Sequence, residues 1–241
     1  MSHEFLFYLE HITADTDEVR LEGEEHHHLA RVVRMIAGDR AFVTDGSGTM
    51  VECRVKAVEK LYTGLEVVRG VETCSHRRLP VLALGCIKKE RFERAVAYAT
   101  ELGIERCIPV ISSNSSRLNY NDKYLNRLRT IALSAMKQSF RAILPEIEAP
   151  LSIDDLLERM PDYDSVFTGM QDSPPLSAPP AGEGILIVVG PEAGFAPDEQ
   201  RKFTEAGAIA ASVSSHRLRS ETAALTMLSI VNSPRPDRQS D

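Results

Sequence analysis

The hydrophobic pattern changes character about a third of the way along the chain. Residues 1–72 contain short apolar stretches at strand spacing, and Asp45-Gly46-Ser47-Gly48 between two of them is a hairpin signal. One helix is predicted at residues 26–35, ended by Gly38. Several short strands with one helix indicate a small β-barrel. The predicted strands are residues 5–9, 41–44, 51–58 and 64–68.

From residue 79 the chain alternates between apolar strands and amphipathic helices. Residues 185–189 are wholly apolar, which is typical of a strand buried on both faces of a parallel sheet. Residues 88–102 carry apolar side chains on one helical face, and Gly103 is suited to end that helix. This alternation predicts an α/β domain whose ligands bind beyond the carboxyl ends of the strands. We predict further strands at residues 80–87, 107–111, 165–168 and 208–213, and further helices at 123–139, 154–159, 197–206 and 221–231.

Two loops at predicted strand ends carry the candidate chemistry. Gly190-Pro191-Glu192-Ala193-Gly194-Phe195 has small residues that let a ligand approach the backbone amides, although a tight strand-to-helix turn explains this spacing at least as well. The second loop runs from Leu218 to Leu225, and Ser220 is the expected N-cap of the last helix. Capping does not require Arg219, whose guanidinium can hold a phosphate or a developing anion.

Composition excludes several classes of protein. The formal net charge is −7, which argues against tight, sequence-blind binding of nucleic acid but not against local basic patches. The four cysteines form no C-x-x-C pair, so neither a zinc site nor a disulfide framework is expected. Adjacent side chains on a helix diverge, so His26-His27-His28 is not expected to bind a metal. With no long apolar run and no secretory signal, we expect a cytoplasmic protein without a membrane span.

Taken together, the two loops resemble one family, the RsmE-type ribosomal RNA methyltransferases of the SPOUT (trefoil-knotted) superfamily. Residues 190–195 match its pattern G-P-E-G-G-[FL], and residues 218–223 match L-R-[TS]-E-T-A. Similar segments begin at His27, Glu101 and Gln138, so the resemblance covers most of the chain. It implies a SPOUT methyltransferase domain with a C-terminal knot over residues 73–241, preceded by a PUA-like β-barrel that binds RNA over residues 1–72.

The resemblance also implies a reaction. Members of the family work as homodimers and use S-adenosylmethionine to methylate N3 of a uridine in 16S rRNA, as free RNA or within the small ribosomal subunit. The sulfonium methyl group is already activated and needs no metal, but uracil N3 must lose its proton. Arg219 is expected to stabilise the uracil anion or to position a phosphate. Glu221 is expected to orient Arg219 or to serve the helix turn, and Glu192 to act as a base or to bind the cofactor.

Binding residues follow from the same resemblance. For Lys88, a solvated helix start is an equally good interpretation. The expected cofactor contacts are Thr168, Gly169, Gly190, Pro191, Glu192, Gly194, Leu218, Arg219, Thr222 and Ala223, and the expected RNA contacts are His27, His28, Arg31, Arg34, Lys88 and Arg141.

Five positions depart from the family pattern. Leu6, Tyr98 and Asn114 stand where the family has cations, and each lost phosphate contact weakens RNA affinity. Ala193 and Ser214 stand where it has glycine, and Ala193 is tolerable only with negative φ. Two alternatives therefore remain open: a divergent paralogue that binds RNA or assists ribosome assembly without catalysis, and a methyltransferase that acts on another RNA.

Overall fold

The computed structural model describes residues 4–12, 16–71, 78–116, 120–177, 179 and 184–233. The chain forms two compact units, the first of Met1–Ser75 with Met136–Leu144 and the second of His76–Ala135 with Pro145–Asp241. The predicted boundary between residues 72 and 73 lies outside the described residues. Sequence pattern did not place Met136–Leu144 with the first unit, because a contact between distant segments leaves no local periodicity.

The first unit is built on a five-stranded sheet with the order β1-β3-β4-β5-β2. Strands β1 and β3 pair in parallel, and the other pairs are antiparallel. The second strand was not predicted, because only Val19 and Leu21 are apolar among its charged residues. Both of these side chains point into a core that includes Phe7, Leu29 and Leu65. The strands are β1 Leu6–Tyr8, β2 Glu18–Glu22, β3 Arg40–Thr44, β4 Met50–Val58 and β5 Tyr62–Gly70.

The helix of this unit differs from its predicted bounds of 26–35. It begins as α1, Gly23–His27, and continues as a π-helix over His28–Val33. The turn out of the helix is made by Arg34, which has a φ of 62° and so cannot continue a right-handed helix. The predicted helix therefore starts three residues too late and ends two residues too late. The sequence pattern gives no signal that an arginine adopts a left-handed backbone.

The second unit contains a seven-stranded sheet in which every strand pairing is parallel. Its hydrogen-bonded order is β12-β10-β11-β6-β7-β8, and β9 also pairs with β7. All five residues of β11 are buried, as the apolar run predicted. Strands β8 and β9 have two residues each and are too short to be predicted from alternation. The strands are β6 Val81–Gly85, β7 Arg106–Ile111, β8 Glu146–Ile147, β9 Leu151–Ser152, β10 Ser165–Gly169, β11 Ile185–Val189 and β12 Ile209–Ala211.

Among the residues that the structure describes, five α-helices accompany this sheet. The apolar face predicted for α2 is buried through Phe92, Ala95 and Val96, and α6 packs against α2 and β11. The predicted N-cap of the last helix is wrong, because Arg219 has the extended N-cap backbone and Ser220 is already helical. The predicted α/β class is confirmed, and the knot stays a prediction. The helices are α2 Lys89–Leu102, α3 Asp122–Gln138, α4 Ile153–Arg159, α5 Pro197–Glu205 and α6 Ser220–Asn232.

The Glu52 carboxylate lies between two guanidinium groups on the sheet of the first unit. Arg40 Nε lies 2.6 Å from one of its oxygens, and Arg69 Nε lies 2.8 Å from the other. Burial raises the pKa of this carboxyl, but the hydrogen bonds and positive charges of Arg69 and Arg40 outweigh it, so the pKa lies below its usual value.

This depressed pKa makes part of the stability depend on pH. The folded state binds the Glu52 proton less tightly than the unfolded state, so the stabilisation is present above the unfolded pKa and is lost as pH falls through the folded pKa. We expect Glu52→Gln to be less stable than wild type in urea at about pH 7 and to approach wild type at about pH 3. Glu59→Gln, at an exposed position of the same unit, is the control. A deficit of equal size at both pH values would contradict this account.

Candidate functional site

A cavity of about 420 Å³ opens at the carboxyl ends of three neighbouring strands, β10, β11 and β12. This volume lies in the range of small-molecule sites, and the position is the one expected for ligands of parallel α/β sheets. Four segments line the cavity, and their residues are Gly169–Gln171 and Ser173, Val189–Phe195 with Gln200, Ala211–Ser214, and His216–Leu218 with Ser220 and Ala223.

The loop after β11 lies so close to neighbouring backbone that a side chain has no room at Gly85 and would be crowded at Gly190. A Cβ atom on Gly190 would lie 3.0 Å from the Phe195 nitrogen, and one on Gly85 would lie 2.5 Å from the Pro191 nitrogen. Gly194 closes a tight turn by donating its N–H to the Pro191 carbonyl at 2.8 Å, and its φ is 75°. Ala193 is not among the described non-glycine residues with positive φ, so its backbone tolerates a side chain.

Side chains from other elements hold this loop in place. Asn114, which follows β7, donates from Nδ2 to the Gly194 carbonyl at 3.0 Å. Arg217, from the loop before α6, donates from Nη2 to the Glu192 carbonyl at 3.1 Å. Asn114 stands where the family pattern has a cation. In this chain its side-chain amide stabilises the loop that lines the cavity.

The loop before α6 presents its residues in different directions. Leu218, Ser220 and Ala223 line the cavity. Arg219 and Thr222 are exposed and do not line it. The Arg219 side chain is exposed and makes no capping hydrogen bond, and its chain neighbours Leu218 and Ser220 line the cavity.

Two carboxylates near the cavity share one arginine. Arg91 Nη1 lies 3.3 Å from Glu192 Oε1, and Arg91 Nε lies 3.8 Å from Glu221 Oε1. Glu192 also accepts a hydrogen bond from the Lys88 backbone N–H at 3.4 Å. The Glu221 side chain is 10% exposed, and within the described residues its Oε2 atom has no hydrogen-bond partner.

The structure brings most of the predicted cofactor residues together and leaves three of them out of the cavity lining. Thr168 is 1% exposed inside β10, and Arg219 and Thr222 point to solvent. Their roles in binding stay predictions. The predicted residues that line the cavity are Gly169, Gly190, Pro191, Glu192, Gly194, Leu218 and Ala223.

Sequence reasoning missed several residues of the site. Gln171, Gln200 and His216 line the cavity without belonging to either motif. Arg91 and Asn114 reach the site from the turns after other strands. The sequence signal for Arg91 was the charged helix start at residues 88–91. Local sequence does not show which residue Arg91 contacts.

The predicted RNA contacts are distributed over both units. His27, His28 and Arg31 are exposed on the helix of the first unit. Arg34 is exposed directly after that helix, and Lys88 is exposed in the second unit. Arg141 is half-buried, and burial lowers the pKa of its guanidinium. The role of these six residues in RNA binding stays a prediction.

Two other departures from the family pattern have clear surroundings. Leu6 is 7% exposed and belongs to an apolar cluster with Phe42, Met50 and Ala142. Tyr98 is 49% exposed on α2. The apolar cluster explains why a leucine suits position 6 in this chain, since a buried cation there would lack its hydration.

The described part of the chain offers neither a metal centre nor a membrane-spanning helix. Among the described residues, no group of three or more histidine, cysteine, aspartate or glutamate side chains is arranged to hold a metal ion. Within the same part of the chain, no helix has the length and apolar character needed to cross a membrane.

Comparison with known proteins gives matches along almost the whole chain. Residues 77–232 match the family model of an RNA methyltransferase domain, and residues 21–62 match that of an RNA methyltransferase PUA domain. The predicted combination of a PUA-like unit with a methyltransferase domain is thereby confirmed.

Individual relatives carry the name ribosomal RNA small subunit methyltransferase E. The protein from Bacillus subtilis is 30% identical, with 88% of each chain covered. The one from Mycobacterium bovis is 31% identical, with 94% of this chain and 90% of the relative covered. A crystal structure of the Neisseria gonorrhoeae protein of that name, bound to S-adenosyl methionine, matches with a TM-score of 0.84 and 25% identity, covering 94% of this chain and 96% of that chain.

Proposed function

The chain belongs to the RNA methyltransferase family, and from this membership we propose that it transfers a methyl group from S-adenosylmethionine to N3 of a uridine in small-subunit (16S) ribosomal RNA. The named relatives act on ribosomal RNA of the small subunit, and the N. gonorrhoeae relative binds S-adenosyl methionine. The observation that carries the proposal is the cavity, which residues of both sequence motifs line.

The residues at the cavity suit a sulfonium nucleoside. Glycines and the small Ala193 and Ala223 allow close approach to backbone N–H and carbonyl groups, which can pair with an adenine edge. Among the lining residues the one carboxylate is that of Glu192, whose negative charge complements a cation. When bound, S-adenosylmethionine supplies a methyl group that is already activated. Gly169, Gly190, Pro191, Glu192, Gly194, Leu218 and Ala223 would hold it.

The protein's own residues must remove the uracil proton and stabilise the negative charge that results. N3 becomes a nucleophile only after losing its proton, and negative charge then develops on the ring. In this proposal Glu192 accepts that proton, directly or through a water molecule, and its presence in the cavity lining supports the role. We assign stabilisation of the uracil anion to the exposed Arg219, whose chain neighbours Leu218 and Ser220 line the cavity. Glu221 faces Arg91 and acts on the position of the helix start.

The remaining assignments complete the proposal. Residues 1–72 form the RNA-binding PUA-like unit and residues 73–241 the methyltransferase domain with its knot. His27, His28, Arg31, Arg34, Lys88 and Arg141 contact RNA phosphates. The protein works in the cytoplasm as a homodimer, as the RsmE-type resemblance implies. Its net charge of −7 favours a structured target, whose shape supplies specificity, over free unstructured RNA.

The experiment that tests this function maps methylated uridines by mass spectrometry in small-subunit RNA from cells with and without the gene. We expect one N3-methyluridine to disappear on deletion and to return with the wild-type gene but not with Arg219→Ala. An unchanged level of N3-methyluridine would contradict the proposed function. If deletion instead removes a methyl group from a different RNA, that RNA is the substrate and the proposed substrate is wrong.

A further inference from the structure

Arg91 is the point at which the two loops of the cavity are joined through side chains. It lies in the first turn of α2, and its guanidinium meets Glu192 of the loop after β11 and Glu221 at the start of α6. These two glutamates are far apart in sequence and belong to the two motifs. Arg91 donates a hydrogen bond from Nη1 to Glu192 at 3.3 Å, and its charge attracts the Glu221 carboxylate at 3.8 Å.

The charges around Arg91 do not balance. Two carboxylates share one guanidinium, and the described residues provide neither of them with another cationic partner within 4 Å. The Glu221 side chain is 10% exposed, and its Oε2 atom is buried without a donor among the described residues. A buried carboxylate that loses its one cation becomes costly to keep in place. The position of the α6 start is therefore sensitive to this single side chain.

Two further hydrogen bonds fix the position of Glu192. The Lys88 N–H, three residues before Arg91, donates to the same Glu192 oxygen that Arg91 contacts. Arg217, from the loop before α6, donates to the Glu192 carbonyl. Glu192 is thus held from α2 and from the second loop, and it lines the cavity. A shift of its side chain would move the wall against which a ligand lies.

We propose that Arg91 is a positioning residue for methyl transfer, which fixes Glu192 and the start of α6 in the geometry that the reaction requires. The inference rests on the proposed function, since it assigns Arg91 to that site. Arg91 itself is not among the residues that line the cavity, so it acts through the two carboxylates.

The test compares Arg91→Met and Arg91→Lys with a matched control. Arg127→Met removes an arginine that makes a two-bond ion pair with Glu93, another residue of α2, away from the site. For each variant, the melting temperature, the dissociation constant of S-adenosylmethionine and the single-turnover rate on small-subunit RNA are measured. The rate of Arg91→Met should fall roughly 10²-fold, as expected for a misplaced catalytic geometry. Arg127→Met should keep the wild-type rate.

Arg91→Lys separates charge from geometry. A lysine keeps the positive charge but not the planar fork, so its rate should lie between those of wild type and Arg91→Met. If Arg91→Met does not fold, this variant alone decides. A wild-type rate in Arg91→Lys would then overturn the proposal.

A mutant cycle shows whether Arg91 acts through the carboxylates. In a Glu192→Gln, Glu221→Gln background, adding Arg91→Met should slow the reaction much less than in wild type, because its partners are already gone. A fully additive loss would overturn the proposal, since a residue that only stabilises the fold would act independently of those glutamates.

Cofactor affinity separates this inference from the proposed function. If wild-type protein binds S-adenosylmethionine but does not methylate small-subunit RNA, the proposed function fails. In that case cofactor binding tests the inference by itself. Arg91→Met should weaken the binding of S-adenosylmethionine roughly tenfold, because a charged contact at the cavity wall is lost, and unchanged binding would overturn the inference.

Discussion

Replacing Arg219 by alanine is expected to slow methyl transfer by roughly 10²- to 10³-fold, the effect of removing one donor that stabilises a developing anion. The side chain is exposed and makes no capping hydrogen bond, so the fold should remain intact. Because Arg219 does not line the cavity, the dissociation constant of S-adenosylmethionine should stay close to the wild-type value. Single-turnover rates on small-subunit RNA and calorimetry with the cofactor measure the two effects separately.

Arg201→Ala is the matched control for this prediction. Arg201 is an exposed arginine of the same unit, paired with Glu205 on its own helix. Its loss changes the net charge equally and should leave the rate unchanged. If both variants slow the reaction to the same extent, general attraction of RNA explains the effect and the specific role of Arg219 is wrong.

Gly85→Ala should disrupt the cavity although it replaces no residue of the two motifs. The new Cβ would lie 2.5 Å from the Pro191 nitrogen and 2.8 Å from the Gly190 carbonyl carbon, so the loop after β11 must move. Such overpacking costs about 1–3 kcal/mol of stability. The cofactor should bind roughly tenfold more weakly or worse, since about 1.4 kcal/mol of lost contact is sufficient for that change. Urea denaturation and calorimetric titration provide the two measurements.

Gly70→Ala controls for the loss of a glycine as such. A Cβ atom there would meet no atom within 4 Å, so stability and cofactor affinity should both stay near wild type. Wild-type affinity in a folded Gly85→Ala protein would show that the loop after β11 does not form the cofactor site.

Local periodicity predicted the elements whose burial is regular. The apolar run of β11 and the one-sided apolar face of α2 were both read correctly, because each buries a face that repeats along the chain. Strand β2 was missed, since only two of its five residues are apolar. The Ser220 cap was wrong by one residue, which reflects the general uncertainty of helix ends.

The candidate site was predictable where it consists of contiguous motifs. Residues 190–195 and 218–225 were selected from sequence, and residues from both segments lie on the same cavity. Arg91 and Asn114 were not selected, because their partners are distant in sequence. Arg91 and Glu192 are 101 positions apart, and Asn114 and Gly194 are 80 positions apart. Such contacts depend on which strands become neighbours in the sheet, and the order of strands is not contained in local spacing.

The most direct test is a crystal structure of the protein grown with S-adenosylmethionine. We expect density for the cofactor between residues 190–194 and 218–223, with its methyl group directed toward the opening beside Arg219. A cofactor bound on another surface of the protein, or clear density for this cavity filled by its own side chains at saturating cofactor, would contradict the account.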